Sequence, residues 1–147
     1  MLYFAYGSNL NHSQMRYRCN GSKYIKKFIL KDYKLIFSYR DPKEPYGYAN
    51  IEKKKASKVP GAIWNITNRD ELELDRYEGV KFGSYDKEYF KLKGKKVLVY
   101  IQSEYIKKKP HSRYLHTIIQ GYRDCNLDIS YLKKRISHYR LNYPIRW

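Results

Sequence analysis

The chain opens on MLYFAYGSNL, residues 1–10, and carries no charged side chain before Arg16. In a sequence with 31 Lys and Arg against 14 Asp and Glu, so long an uncharged start needs a cause. Leu2 to Ala5 is short, apolar and soon followed by glycine, which predicts a buried strand ending at a turn. Gly7 has no Cβ, so the backbone there can take positive φ or let another molecule approach closely. The amides of Gly7, Ser8 and Asn9 precede a predicted short helix over Asn11–Arg16, capped by Asn9 or Asn11. Three readings of this loop stand open: a conformational turn, an anion cradle built from successive amides, or a serine nucleophile. The hydrolase elbow is G-x-S-x-G. Here glycine directly precedes Ser8, no second glycine follows, and no Asp/Glu…His order completes a triad.

Working outward, Lys23–Leu30, Tyr33–Tyr39 and Tyr48–Glu52 read as strands separated by Lys-Asp and Asp-Pro turns. Val59-Pro60-Gly61 leads into a strand over Ala62–Thr67. Asn68 opens a helix with Glu71 in the capping-box position, and Gly79 is its expected left-handed stop. Strands follow at Ser84–Leu92 and Lys96–Gln102, joined by a Lys93-Gly94-Lys95 turn. Beyond Pro110 the period changes: Leu115, Ile118, Ile119 and Tyr122 share one helical face, with Ser112 as N-cap and Asn126 as stop. Asp128 caps a last helix whose apolar face is Leu132, Ile136 and Tyr139. The expectation is one domain over residues 1–147, of mixed α/β (α+β) class, with seven strands, two inserted helices and two helices at the end.

Composition narrows the function. A mean hydropathy of −0.83 and the lack of any long apolar run argue against a membrane helix. No basic, apolar leader precedes the first strand, so a cytoplasmic location is expected. Cys19 and Cys125 are far apart and form no CxxC pair, which reads as two reduced thiols. His111 and His116 are five apart and no HExxH is present, so no metal site is expected. The +17 charge favours anionic partners, nucleic acid first. Residues 1–90 hold 17 basic and 11 acidic side chains (+6), residues 91–147 hold 14 and 3 (+11). The runs Lys53-Lys54-Lys55, Lys95-Lys96 and Lys107-Lys108-Lys109 look like turns and loop margins, not one helical stripe. Specific nucleic-acid binding is accordingly not the expectation.

Against that background Asp70–Val80, DELELDRYEGV, concentrates five of the chain's 14 acids. Asp70 and Glu71 suit a helix's first turn, where the macrodipole favours carboxylates. Glu78 falls in the last turn, where it does not. Glu71, Asp75 and Glu78 share one stripe at i, i+4 and i+7. Neighbouring negative charge, the helix C-terminus and burial would all raise the Glu78 carboxyl, as a general acid/base requires. The alternatives are an ion pair to a surface cation, or a divalent-metal stripe, for which no matching carboxylates lie elsewhere.

Together, YFAYGSNL at Tyr3–Leu10, LDRYEGV at Leu74–Val80 with Tyr85 beyond it, and PHSRYLHTIIQGYRDCNLDISYLKKRI at Pro110–Ile136 resemble the γ-glutamylcyclotransferase-like family of the AIG2-like superfamily. The resemblance covers the chain nearly end to end. It implies a small β-barrel-like mixed sheet with surrounding helices, and a transferase or lyase-type cyclisation of a small-molecule γ-glutamyl compound to 5-oxoproline, without a cofactor. The family's glutamate maps onto Glu78. Its substrate-binding loop maps onto Tyr3, Phe4, Ala5, Tyr6, Gly7 and Ser8 with Asn9 adjoining, and a substrate-contacting tyrosine onto Tyr114. Asn9 after Gly7-Ser8 is similar to the branch acting on γ-glutamyl amino acids. A γ-glutamylamine or a γ-glutamyl-protected biosynthetic intermediate is the alternative, as is a non-catalytic basic module binding nucleic acid or another polyanion.

Overall fold

A computed structural model describes residues 1–147. Six strands form one curled, half-barrel mixed sheet in the order β4-β5-β1-β3-β2-β6. They are β1 (Leu2–Ala5), β2 (Lys23–Tyr39), β3 (Tyr48–Asn65), β4 (Asp86–Leu92), β5 (Lys95–Ile101) and β6 (Ile106–Lys107). Only β1 and β5 run parallel. Four helices surround the sheet: α1 (His12–Arg18), α2 (Asn68–Tyr77), α3 (Ser112–Asp124) and α4 (Ile129–Ile136). None is long and apolar enough to cross a membrane. The uncharged start has its explanation in β1, which lies between β3 and β5 with Tyr3, Phe4 and Ala5 buried.

Six strands replace the seven expected, because turn residues were absorbed into longer strands. Lys31-Asp32 does not end a strand: β2 continues through it. Opposite, the register passes from Lys31↔Lys58 to Tyr33↔Lys53, so the intervening β3 residues bulge outward. Asp32 and Ala56 take positive φ there (65° and 67°), and the Asp32 carboxylate accepts the Ala56 N–H at 3.1 Å. A bulge accommodates residues with turn propensity without breaking the ladder. Lys53-Lys54-Lys55 thus belongs to a strand rather than a loop margin, with its side chains in solvent.

Val59-Pro60-Gly61 likewise lies inside β3 rather than before it. β1 ends opposite Ala62, so Pro60 has no β1 residue across from it. Gly61 is required by close approach: a Cβ there would collide with the Ala5 carbonyl and the Phe4 ring. The two-residue β6 was not foreseen.

Helix N-caps shift by at most one residue. Thr67 caps α2, and its capping box closes with Asp70 rather than Glu71. The His111 side chain, not Ser112, caps α3. Asp128 caps α4, which stops at Ile136, short of Tyr139. Tyr139 has other work at the outer edge of β2. Its hydroxyl meets the Phe37 N–H and C=O at 2.7 and 3.2 Å, Tyr131 accepts the Leu35 N–H, and Arg135 donates to the Leu35 carbonyl. Side chains thereby satisfy an edge that would otherwise present unpaired backbone groups.

Because β1 has only four residues, β5 and β3 must be joined by other means past its end. A buried network does so. Ser38 donates to the Gln102 side-chain oxygen at 2.8 Å, and Asn50 bonds both Ser38 and the Gln102 backbone. The gap this leaves at the end of β1 is where the YGSN loop emerges.

Candidate active site

The loop after β1 forms a short 3-10 turn over Ser8–Leu10. Its conformation is held from outside. Asn11 caps α1 by accepting the Gln14 N–H, and also donates to the Thr117 carbonyl on α3. Gly121 brings α3 so close that a Cβ would lie 2.6 Å from the Leu10 Cβ. Gly7 has φ −123°, so positive φ is not why glycine stands there. Close approach is the reason: a Cβ on Gly7 would sit 2.7 Å from that of Ala49 on β3.

Behind the loop lies a cavity of about 300 Å³, lined by 16 residues, eight of them tyrosines. It collects Tyr3, Tyr6, Gly7, Ser8 and Asn9 from the N-terminal stretch, Glu78 from the end of α2, and Tyr114 from α3. Phe4 and Ala5 do not line it. Phe4 points into an aromatic cluster with Phe28 and Phe90, both rings 5.9 Å away, and Ala5 is buried opposite Ala62. Ser8 has no histidine beside it in the cavity, and its hydroxyl accepts a hydrogen bond from Gln14 at 2.8 Å. No Ser–His pair is therefore formed at Ser8.

Glu78 is the C-cap residue of α2, with its N–H on the Leu74 carbonyl. Gly79 follows with φ +61°, the left-handed stop that the sequence suggested. The Glu78 carboxylate accepts no hydrogen bond and joins no ion pair within the protein. Although it lines the cavity, protein atoms crowd it, and this burial pushes its carboxyl up to about 7; Arg18 works in the opposite direction. The acidic stripe is not the cause. Lys87 on β4 reaches Glu71 at 2.6 Å and Asp75 at 2.9 Å, and Tyr100 donates to Asp75 at 2.7 Å, so that charge is already compensated.

Two phenols of the cavity serve as hydrogen-bond acceptors. Tyr114 accepts the Ala49 N–H at 2.9 Å, and Tyr3 accepts from the Asn9 amide at 3.0 Å. Each is used as an acceptor, so each keeps its own proton for another group. Burial raises both hydroxyls well above the usual phenol range, so they remain protonated donors. By contrast, Tyr6 and Tyr85 line the same cavity but donate their protons to the carbonyls of Tyr100 and Ala49, both at 2.6 Å.

Sequence reasoning missed Arg18, the last residue of α1. It lines the cavity, donates to the Asn9 side chain at 3.2 Å and lies 4.2 Å from the centre of the Tyr77 ring. Its partners are nine and 59 positions away, so no local pattern marked it. The available signal was one of charge: it ends a helix directly after the YGSN loop.

Residues 58–134 match the AIG2-like family. Over 142 residues the chain is 30% identical to the γ-glutamylcyclotransferases of Homo sapiens and Bos taurus, spanning 90% of this chain and 76% of each relative. A solved structure of a γ-glutamyl cyclotransferase superposes with a TM-score of 0.81 at 25% identity, covering 99% of this chain and 93% of that one. The likeness therefore holds in sequence and in overall shape, and the chain belongs to the AIG2-like, γ-glutamylcyclotransferase family.

Proposed function

We propose that the protein cyclises a small γ-glutamyl amide to 5-oxoproline with release of the attached amine, using Glu78 as general acid/base. One observation carries the assignment of Glu78. It is an acid free of any protein partner, raised to about 7 by burial, and it faces the YGSN loop across a cavity sized for a small molecule. At neutral pH such a group can both take and return a proton.

The substrate brings its own nucleophile. Its α-ammonium gives a proton to the Glu78 carboxylate, and the freed α-nitrogen attacks the γ-carbonyl carbon. A C–N bond closes the five-membered ring while the carbonyl oxygen takes the negative charge. That charge falls to the amides at Gly7 and Ser8 and to the unused protons of Tyr3 and Tyr114. Fixed dipoles of this kind need no reorganisation as charge develops. The carbonyl re-forms and the bond to the leaving nitrogen breaks as Glu78 returns the proton to it. The ring nitrogen, which still carries two protons, then gives one to the Glu78 carboxylate, and the released amine takes that proton and departs as an ammonium. Atoms and charge balance with no external nucleophile. Holding the chain bent is worth several kcal/mol for such a ring closure.

The test is 5-oxoproline release from a panel of γ-glutamyl amino acids, γ-glutamylamines and glutathione. Turnover of at least one donor supports the reading. Failure on all of them, by protein shown to be folded, defeats it.

A further inference from the structure

The cavity contains a single pair of opposite formal charges: among its lining residues, Glu78 is the only acid and Arg18 the only cation. The arginine is held in place. Its Nη1 donates to the Asn9 Oδ1, which also accepts from Gln14, while the Asn9 amide nitrogen is tied to the Tyr3 hydroxyl. The Tyr77 ring covers the guanidinium. No carboxylate of the protein pairs with Arg18. A guanidinium has five N–H donors in a planar fork suited to a carboxylate, and only one is engaged here. A fixed cation without an anion, facing a cavity, is preorganised to receive one.

A γ-glutamyl amino acid offers two carboxylates. One sits on the α-carbon, next to the ammonium that Glu78 must deprotonate. The other belongs to the amino acid released, beyond the amide that breaks. Arg18 and Tyr3 are both tied to the Asn9 side chain, and the Tyr77 ring beneath the guanidinium belongs to the residue directly before Glu78, so Arg18 lies at the end of the cavity that holds the acid. The substrate anion closest to a nitrogen held by Glu78 is the α-carboxylate on the neighbouring carbon. Were Arg18 assigned to the other carboxylate, the α-carboxylate would enter a tyrosine-lined cavity without a counter-charge, which is costly. The loop amides are neutral dipoles, better suited to charge that appears only during reaction.

Resting on the cyclisation reading above, we propose that Arg18 clamps the α-carboxylate of the γ-glutamyl donor, so that the cavity's two charges recognise the donor's amino-acid head and leave the released amine unread by charge. Specificity then follows from the donor. A carboxylate on the leaving group contributes little, and γ-glutamylamines and γ-glutamyl amino acids are handled alike so far as charge is concerned.

The test crosses enzyme with substrate. The substrates are a γ-glutamyl amino acid, the same compound with its α-carboxylate converted to a carboxamide, and a γ-glutamylamine. The enzymes are wild type, Arg18→Met and Arg18→Lys. With wild type, the carboxamide is expected to lose roughly 10- to 100-fold in kcat/KM, the scale of a charge-assisted hydrogen-bonded pair. Arg18→Met should lose a similar factor on the two donors that keep the glutamyl α-carboxylate and nothing further on the carboxamide. Arg18→Lys should recover part of that loss through KM. A selective Arg18→Met loss on the amino-acid compound, with the amine spared, would assign Arg18 to the leaving group and overturn the proposal. Equal Arg18→Met losses on carboxylate and carboxamide would reduce it to a structural residue. The wild-type comparison needs no variant to fold, and a wild type inert towards every γ-glutamyl donor would instead refute the cyclisation reading itself.

Discussion

The Tyr114 hydroxyl accepts the Ala49 amide proton at 2.9 Å, and Ala49 is the residue against which Gly7 closes. One phenol thereby ties α3 to β3 directly beneath the YGSN loop and still has a proton to give. Tyr114→Phe removes both functions. The Ala49 N–H, left without that acceptor, should cost about 1–3 kcal/mol of stability. Cyclisation should fall by a further 10- to 100-fold in kcat, beyond anything the melting curve explains. Chemical denaturation and steady-state kinetics on the same preparation separate the two effects.

Gly7→Ala probes the loop by volume. The new methyl would stand 2.7 Å from the Ala49 Cβ, well inside contact distance. Either the loop or β3 must shift, at about 1–3 kcal/mol. A displaced loop also moves its amides away from the γ-carbonyl, so activity should drop at least 100-fold while the protein remains folded. A fully active alanine variant would mean that the loop does not approach the substrate.

Burial of Glu78 has a stability cost with a definite sign. In the unfolded chain its carboxyl titrates near 4.5, and in the folded protein it is raised to about 7. The folded state therefore binds the extra proton between these values, and the group's contribution falls as pH rises through that window. Above pH 7 the native carboxylate costs on the order of 3 kcal/mol relative to its protonated form. Glu78→Gln should therefore be more stable than wild type at pH 8, with the difference vanishing near pH 4. Urea unfolding of both proteins at the two pH values checks this.

The same shift sets the acid limb of activity. Deprotonation of the α-ammonium requires ionised Glu78, so kcat/KM should rise with pH through about 7. A limb near 4.5 would show that burial does not act on the free enzyme's carboxyl. Lys87→Met asks whether the neighbouring acids matter. It frees Glu71 and Asp75 from their shared cation and should move the limb upward.

What was legible in the sequence was local. Gly79 stops α2 and so places Glu78, the apolar start predicts β1, and the 3.6-residue period of α3 sets its buried face, whereas Tyr114 was indicated only by the family resemblance. Each signal lies within a few residues of its effect. The misreadings arose where distant strands decide. Lys31-Asp32 and Lys53-Lys54-Lys55 have turn propensity singly, yet opposite each other they form a bulge in a long ladder. The acidic stripe was visible, but Lys87, which neutralises two of its members, comes from β4. Arg18 was passed over because its role depends on Asn9 and Tyr77, which only the folded chain brings to it.

The most direct measurement is 5-oxoproline release by wild type and Glu78→Gln, assayed at pH 7.5 on the best γ-glutamyl donor, with circular dichroism confirming the fold of both. The exchange preserves the side chain's shape and removes its proton chemistry. The account predicts a loss of roughly 10²- to 10⁴-fold in kcat with the fold intact. Glu78→Gln turnover within a few-fold of wild type would contradict it.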